Sequence, residues 1–427
     1  MKPLTSVPLS ERLTFLIPLS TIFFFHFASL SAQPLDLKVS GERVILINGE
    51  SGAVLFEKNC DQQCYPASTT KIATALYALH LRGNDLSTKM TTRTEAICSI
   101  SPQAKVQSKY RSPPHWLETD GSHIGLKKGE EMPLHDLIHA ILICSANDAC
   151  NVVAQNLAGS VPKFMEHLNH YLKQIGCKNT HFNNPHGLSH PDHVTTARDL
   201  SIMAKEALSQ PFFCEVMKKT KYTCPETNLE YQRFFIQTNQ LLKKTPYYYP
   251  QAIGMKTGTT KAAGKNLVAV AEENGRVLIG VFMGYPSSAD LYSDAKRVFE
   301  TAFKEQKMRR TLLSAGSQEF TKEVSGTRKR LETYLPEKFT YEYYPSEDQG
   351  FRLLVHWKLP KLPIVKGAEV GRLEIVGPNH KVLKSTTLYA NNSLSQTLWS
   401  RLVFGKTIFL ALAIIPLLWV GLRFRKK

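Results

Sequence analysis

Pro66-Ala67-Ser68-Thr69-Thr70-Lys71 runs straight into Ile72-Ala73-Thr74-Ala75-Leu76-Tyr77-Ala78-Leu79, and Gly83 follows as a stop. Apolar residues at helical spacing with a glycine C-cap predict a helix that carries Ser68 in its first turn. A serine and a lysine three residues apart share one face of such a turn, where the amine can take the alcohol's proton. The amine does this only when neutral. Its ordinary pKa is about 10.4, so the fold must lower it by burial and by nearby positive charge, for which Lys256 and the helix N-terminus are the candidates. The same Ser-x-x-Lys spacing recurs from Ser160 to Lys163 and from Ser293 to Lys296. Pro162 lies inside the first of these turns, and the second opens a polar, charged helix start, so both serines read as capping or solvated residues.

Two further short motifs follow in order, Ser145-Ala146-Asn147 and Lys256-Thr257-Gly258, each present once. With the serine-lysine turn they make the trio of the penicillin-recognising serine enzymes. The flanks Asp148-Ala149-Cys150, Gly176-Cys177-Lys178-Asn179-Thr180-His181-Phe182, His186-Gly187-Leu188, Thr196-Ala197-Arg198-Asp199 and Asn266-Leu267-Val268-Ala269 narrow the match. Over about residues 40 to 305, and more loosely to about 395, the chain resembles D-alanyl-D-alanine carboxypeptidases, the low-molecular-mass penicillin-binding proteins. The resemblance implies an α+β fold of the penicillin-binding and β-lactamase type: a five-stranded antiparallel sheet with helices on both faces, an all-helical lobe, and a small all-β C-terminal domain. It also implies Ser68 as nucleophile, Lys71 as its base and Ser145 as proton relay to the leaving amine. Asn147, Lys256, Thr257, Gly258 and Thr259 become the substrate-binding set, with Thr257 on the terminal carboxylate and the backbone N–H groups of Ser68 and Thr259 as oxyanion hole. No metal or cofactor is expected. The implied substrate is the peptidoglycan stem peptide, with β-lactams as covalent inhibitors.

The net charge of +17 is spread along the chain with short clusters only, which favours a membrane or polyanionic envelope over nucleic acid. Lys2 and Arg12 precede an apolar run from Leu13 to Phe27, the pattern of an export signal ending near Ala32. Thr407 to Leu422 is uncharged and apolar, and Arg423, Arg425, Lys426 and Lys427 close the chain, the pattern of a C-terminal anchor with a cytoplasmic tail. The expected layout is a signal at 1–32, the carboxypeptidase domain at 33–305, a linker at 306–319, a small β domain at 320–395, a transmembrane anchor at 402–422 and a basic tail at 423–427. The catalytic body would face the periplasm from the inner membrane. Export would permit disulfides among the eight cysteines, Cys60 and Cys64 being the nearest pair. Histidine pairs four apart, His135 with His139 and His186 with His190, lack any metal signature around them.

Local patterns place the motifs. Val44 to Ile47 and Ala53 to Phe56 read as one hairpin; Asn266 to Ala271 and Val277 to Met283, joined through Asn274-Gly275, read as a stronger one. Lys256-Thr257-Gly258 falls on a strand just before it, with Gly258 admitting the substrate backbone. Leu134 to Ile143, Ala149 to Leu157, Val161 to Ile175 and Thr196 to Leu208 have helical spacing, and Cys144 and Cys150 would flank the second motif on one helix. Cys98 to Asp120 has no period and reads as a surface loop.

Competing readings are a β-lactamase and a catalytically silent envelope-binding protein. The lactamase needs Glu-x-x-Leu-Asn, whereas Glu166-His167-Leu168-Asn169 is one residue short; the silent protein needs a broken motif, and all three are intact. Endopeptidase cleavage of cross-links is a companion activity. One departure from the family concerns the carboxylate. Thr238 precedes Asn239 where an arginine is common, and residues 284–296 hold no arginine, so Lys261 or Lys265 is expected to supply the charge without a bidentate fork.

Overall fold

The computed structural model describes residues 25–26, 32–83, 85–348, 350–377 and 381–397. The anchor and tail, and nearly all of the expected signal, lie outside these residues. Among the described residues no helix is long and apolar enough to cross a membrane. The chain divides into two compact units, one of residues 32–307 with 344–348, the other holding the strands between Met308 and Ala390.

The first unit is built on a five-stranded antiparallel sheet. Its strands are β1 (Arg43–Asn48), β2 (Val54–Lys58), β5 (Ala252–Thr260), β6 (Gly264–Glu273) and β7 (Arg276–Tyr285), in spatial order β5-β6-β7-β1-β2. Asn274 and Gly275, at φ 50° and 78°, turn β6 into β7, the positive dihedrals that an Asn-Gly hairpin supplies. Alternation along these strands feeds two cores. Ile45, Ile47, Val268, Val270, Ile279 and Val281 face the helical lobe. Val44, Leu46, Leu267, Ala269, Leu278 and Phe282 face the opposite side, where the helix Ser288–Phe303 brings Leu291, Val298 and Phe299. A sheet buried on both faces needs strands apolar at nearly every position, and these are.

The lobe contains α1 (Lys71–Arg82), α2 (Leu134–His139), α3 (Asn147–Ala158), α4 (Val161–Gln174), α5 (Ala197–Ala207) and α6 (Pro211–Met217). Ser160 caps α4 by accepting the Lys163 N–H, and Ser293 is exposed on the last helix of the unit, so both extra serine-lysine pairs are structural. Beyond α6 a separate two-stranded hairpin pairs β3 (Lys221–Cys224) with β4 (Arg233–Ile236).

Four expectations are corrected. Cys144 and Cys150 do not share one helix: α2 loosens into a π turn over Ala140–Cys144 and stops at Ser145, and α3 begins two residues later. The stretch 98–120 is more than a loop, since Ser101 caps a short helix Pro102–Gln107, and Lys105 from it pairs with Glu118 at 2.8 Å. The expected linker at 306–319 is strand: Met308–Leu313 pairs with Phe339–Tyr343, and Gly316–Lys322 with Leu331–Leu335. Its polar alternation hid it, because only Leu312 and Phe320 on the two strands are buried. Cys60 and Cys64 are free thiols, as are the other six cysteines. Cys60 is held instead against Glu57, Asp61 and the Arg198 guanidinium.

Candidate active site

Ser68 lies on a tight turn, Ala67–Thr70, that leads directly into α1. Three ties set the turn. Asn266, buried on β6, donates its amide to the carbonyls of Tyr65 and Pro66 and accepts the Gly284 N–H, so the turn's start is bolted to the sheet. Gly187 packs so closely that a Cβ there would stand 1.9 Å from the Ala67 carbonyl oxygen. Gly258 does the same from β5, where a Cβ would come 2.9 Å from Pro66 O and 3.0 Å from the N of Ser68 and of Thr69. The structural reason for Gly258 is thus contact with the nucleophile's own turn, which brings the Lys-Thr-Gly strand against Ser68.

Lys71 is fully buried. Its Nζ stands 2.9 Å from Ser68 Oγ, 2.7 Å from Asn147 Oδ1 and 2.7 Å from the His186 carbonyl oxygen. A neutral amine has two N–H donors and one lone pair. The two carbonyl oxygens use the donors, and the lone pair is left for the Ser68 hydroxyl. Burial pulls the Lys71 pKa down to about 8. Lys256, also buried, is drawn to about 7, first by burial and then by the charge of Lys71. The effect runs one way: burial lowers Lys71, and Lys256, expected from the sequence to help lower it, is instead the amine that its neighbour's charge makes easier to deprotonate.

The second motif is shaped by its backbone. Ser145 holds φ 65°, ψ 34°, a left-handed conformation uncommon outside glycine, which ends the π turn and swings Asn147 toward Lys71. Asp148, buried beside it, accepts the N–H groups of Ile124, Gly125 and Leu126 at 3.0–3.2 Å, and Ser122 O accepts the Asn147 N–H. The segment 121–126 is thereby clamped over Asn147, and Gly121 leaves room for its amide, since a Cβ there would lie 2.8 Å from Nδ2. Ala67 and Met255, each just before its motif's first functional residue, also have positive φ, 51° and 102°. Strained backbone of this kind persists only where packing holds it, as it does here.

His186 is not a base for Ser68. Its ring is buried and turned away, Nε2 donating to the His115 carbonyl at 3.1 Å and Nδ1 accepting the Leu188 N–H, and burial next to Lys71 keeps its pKa well below the ordinary value. What reaches Lys71 is its carbonyl oxygen. Cys144 and Cys150 are pushed up to about 12 by burial and stay thiols. Glu166 is exposed on α4, and Asn169 spends both amide atoms on the backbone of Phe182, which removes the lactamase-like reading of that stretch. Among the described residues no cluster of histidine, cysteine or acidic side chains could hold a metal.

Ser68, Lys71, Asn147, Lys256 and Gly258 therefore gather in one place, with Ser145 buried beside them. Thr257 is half-buried at the rim, its hydroxyl 2.7 Å from that of Thr238, and Thr259 is exposed two residues on. Lys261 is exposed and Lys265 half-buried; Lys265 sits opposite Thr259 in the β5–β6 register. Asp148, Asn266 and Thr238 stand in the flanking sequence without a role there, and the structure gives each one. The first two carry a local signal, an acid in a helix's first turn and an amide in an otherwise apolar strand; that Thr238 meets Thr257 follows only once the strands are placed.

A family model described as D-alanyl-D-alanine carboxypeptidase matches residues 29–287. The chain belongs to the D-alanyl-D-alanine carboxypeptidase family. It is 28% identical to the D-alanyl-D-alanine carboxypeptidase DacF of Bacillus subtilis over 84% of this chain and 87% of that one. DacA of Haemophilus influenzae is 27% identical over 92% of this chain and 98% of its own. Among solved structures, penicillin binding protein 5 from Haemophilus influenzae superposes with a TM-score of 0.57 at 25% identity, covering 85% of this chain and all of that one. The Streptomyces K15 DD-transpeptidase gives 0.54 at 25% identity, covering 63% of this chain and 99% of that one. As in other carboxypeptidases of this family, the reaction class is serine peptidase.

Proposed function

We propose that this serine D-Ala-D-Ala carboxypeptidase removes the terminal D-alanine of peptidoglycan stem pentapeptides through an acyl-Ser68 ester, with the roles given below. The observation that carries the mechanism is Lys71 Nζ at 2.9 Å from Ser68 Oγ, with two carbonyl oxygens occupying its other donors.

Ser68 Oγ attacks the carbonyl carbon of the penultimate D-alanine while its proton passes to neutral Lys71. The backbone N–H groups of Ser68 and Thr259 receive the oxyanion. As the C–N bond breaks, Ser145 relays a proton to the departing amine, and D-alanine leaves. Water then attacks the ester, returning the proton to Ser68 and releasing the shortened stem peptide. Asn147 holds Lys71 and the substrate's amide, Lys256 adds positive charge to the cleft only below its pKa of about 7, and Thr257 meets the terminal carboxylate, with Lys265 behind it as a point charge. Penicillin enters the same cycle by opening its strained amide on Ser68 and is lost slowly. Cleavage of cross-links is a companion activity of the same chemistry.

Export and anchorage in the inner membrane, with the catalytic unit in the periplasm, complete the proposal; their support is the sequence of the two ends. The test is D-alanine release from a pentapeptide ending in D-Ala-D-Ala, alongside labelling by penicillin. Wild-type protein is expected to release D-alanine and to carry the label, and Ser68→Ala to do neither. Rapid turnover of the penicillin would instead mark a lactamase.

A further inference from the structure

Burial alternates strictly from Phe234 to Asn239. Phe235, Gln237 and Asn239 are buried, Phe234 and Ile236 are exposed at 67% and 64%, and Thr238 is half-buried. The chain thus stays extended beyond the last residue of β4, and Phe234, Ile236 and Thr238 share one face. That face starts in the active site: the Thr238 N–H donates to Ile143 O, just before the second motif, and its hydroxyl lies 2.7 Å from Thr257 Oγ1. Outward from there it becomes an apolar stripe. Cross-strand register adds Lys221 opposite Ile236 and Thr223 opposite Phe234, both exposed, and Tyr231 beyond is 82% exposed.

The hairpin does not need these side chains for its own packing. Its inner face is filled by Phe235, Cys224 and Tyr222, which join the core of the lobe. A single exposed aromatic residue is ordinary, but Phe234 and Ile236 are aligned with a cleft hydroxyl and flanked by a cation, a combination that points to a ligand surface.

We propose that the outward face of this hairpin is an extension of the substrate cleft, holding the body of an extended, carboxylate-bearing peptide beyond its reacting end. Phe234 and Ile236 supply apolar contact, Thr238 and Thr223 hydroxyls, and Lys221 the countercharge. The inference rests on the carboxypeptidase reading and refines its substrate class: long or cross-linked stem peptides over minimal ones. A membrane surface is the weaker occupant, because the stripe begins inside the cleft and because the neighbouring cation, Lys219, is already engaged by Glu215 and His139.

The experiment compares wild type, Phe234→Ser with Ile236→Ser, and separately Lys221→Gln, on two substrates: diacetyl-L-lysyl-D-alanyl-D-alanine and purified cross-linked muropeptide. The expected result is a KM for the long substrate raised about fivefold to tenfold in both variants, as loss of apolar contact or of one rim charge would give. Turnover of the minimal substrate and penicillin acylation should stay at wild-type values. Lys221 is exposed, so its variant tests the idea even if the double variant folds poorly. Equal losses on both substrates, or no loss on either, would overturn the proposal. Unchanged kinetics with weakened binding to anionic vesicles would overturn it in favour of a lipid surface. Wild-type failure on both substrates would instead refute the carboxypeptidase reading and take the extension with it.

Discussion

Lys71 is the residue on which the chemistry turns, and its neighbours explain why. An amine enclosed by three oxygens would be held as ammonium if any of them were a carboxylate; here they are an alcohol and two carbonyls, which accept hydrogen bonds without offering charge. Asn147 is thus placed to position Lys71, in addition to the substrate contact proposed for it. Replacing it with leucine removes one of the two acceptors and frees Nζ to rotate off the serine. Asn147→Leu is expected to lower the rate of acylation by penicillin about a hundredfold, within the range of general-base losses, while Asn147→Asp should move the rising limb of the pH profile to higher pH by stabilising the ammonium. A stopped-flow acylation series on the two variants checks both. The sequence pointed to Asn147 as a substrate ligand; that its Oδ1 faces Lys71 follows from the left-handed Ser145, a dihedral no local pattern announces.

At the scale of elements, the site is a meeting of one turn, one helix start and one edge strand, and glycines set how closely they meet. Gly258 lies between the catalytic strand and the Ser68 turn. A methyl at that position must push them apart by a few tenths of an ångström, because the atoms it meets are backbone. Gly258→Ala is therefore expected to cost about 1–3 kcal/mol of stability and a larger share of activity. Gly187→Ala, at φ 91° and with 1.9 Å to Ala67 O, should be worse on stability. Thermal melts and D-alanine release, measured together, separate the two effects. Elements with strong local signals were legible: α1 from its apolar spacing and Gly83, the β6–β7 hairpin from Asn274-Gly275. Those with weak ones were not. The π turn before Ser145 looks like ordinary helix in sequence because its residues, Ala140 to Ile143, are all good core residues. The strands at Met308–Leu313 and Gly316–Lys322 looked like linker because each buries little.

For the molecule as a whole, three motifs separated by scores of residues sufficed to anticipate the family and the five-stranded sheet, and the fold brings Ser68, Lys71 and Asn147 from two of them into contact. What they did not reveal is how the first unit closes. Residues 344–348 fold with it, although strands of the other unit precede and follow them in sequence. Arg276 explains the return: nearly buried, it pairs with Glu305 and Glu347 and lies 3.6 Å over the Tyr344 ring. Arg276→Ala would leave two mostly buried carboxylates without their cation. It is expected to destabilise the protein by about 3 kcal/mol and to expose the 344–348 segment to protease, read by melting and limited proteolysis.

Acylation requires a neutral Lys71 to take the proton of Ser68, and its pH dependence tests that requirement most directly. The second-order rate of penicillin acylation should be measured across the pH range, with the adduct mapped by mass spectrometry. A group whose pKa is lowered to about 8 is mostly protonated at pH 6 and mostly free above 9. The rate should therefore climb roughly tenfold per pH unit below the bend and level off above it, with all label on Ser68. Because Lys256 loses its proton before Lys71 does, Lys256→Gln should leave the bend close to its wild-type pH. A rate independent of pH through this range, or label on any other residue, would contradict the account.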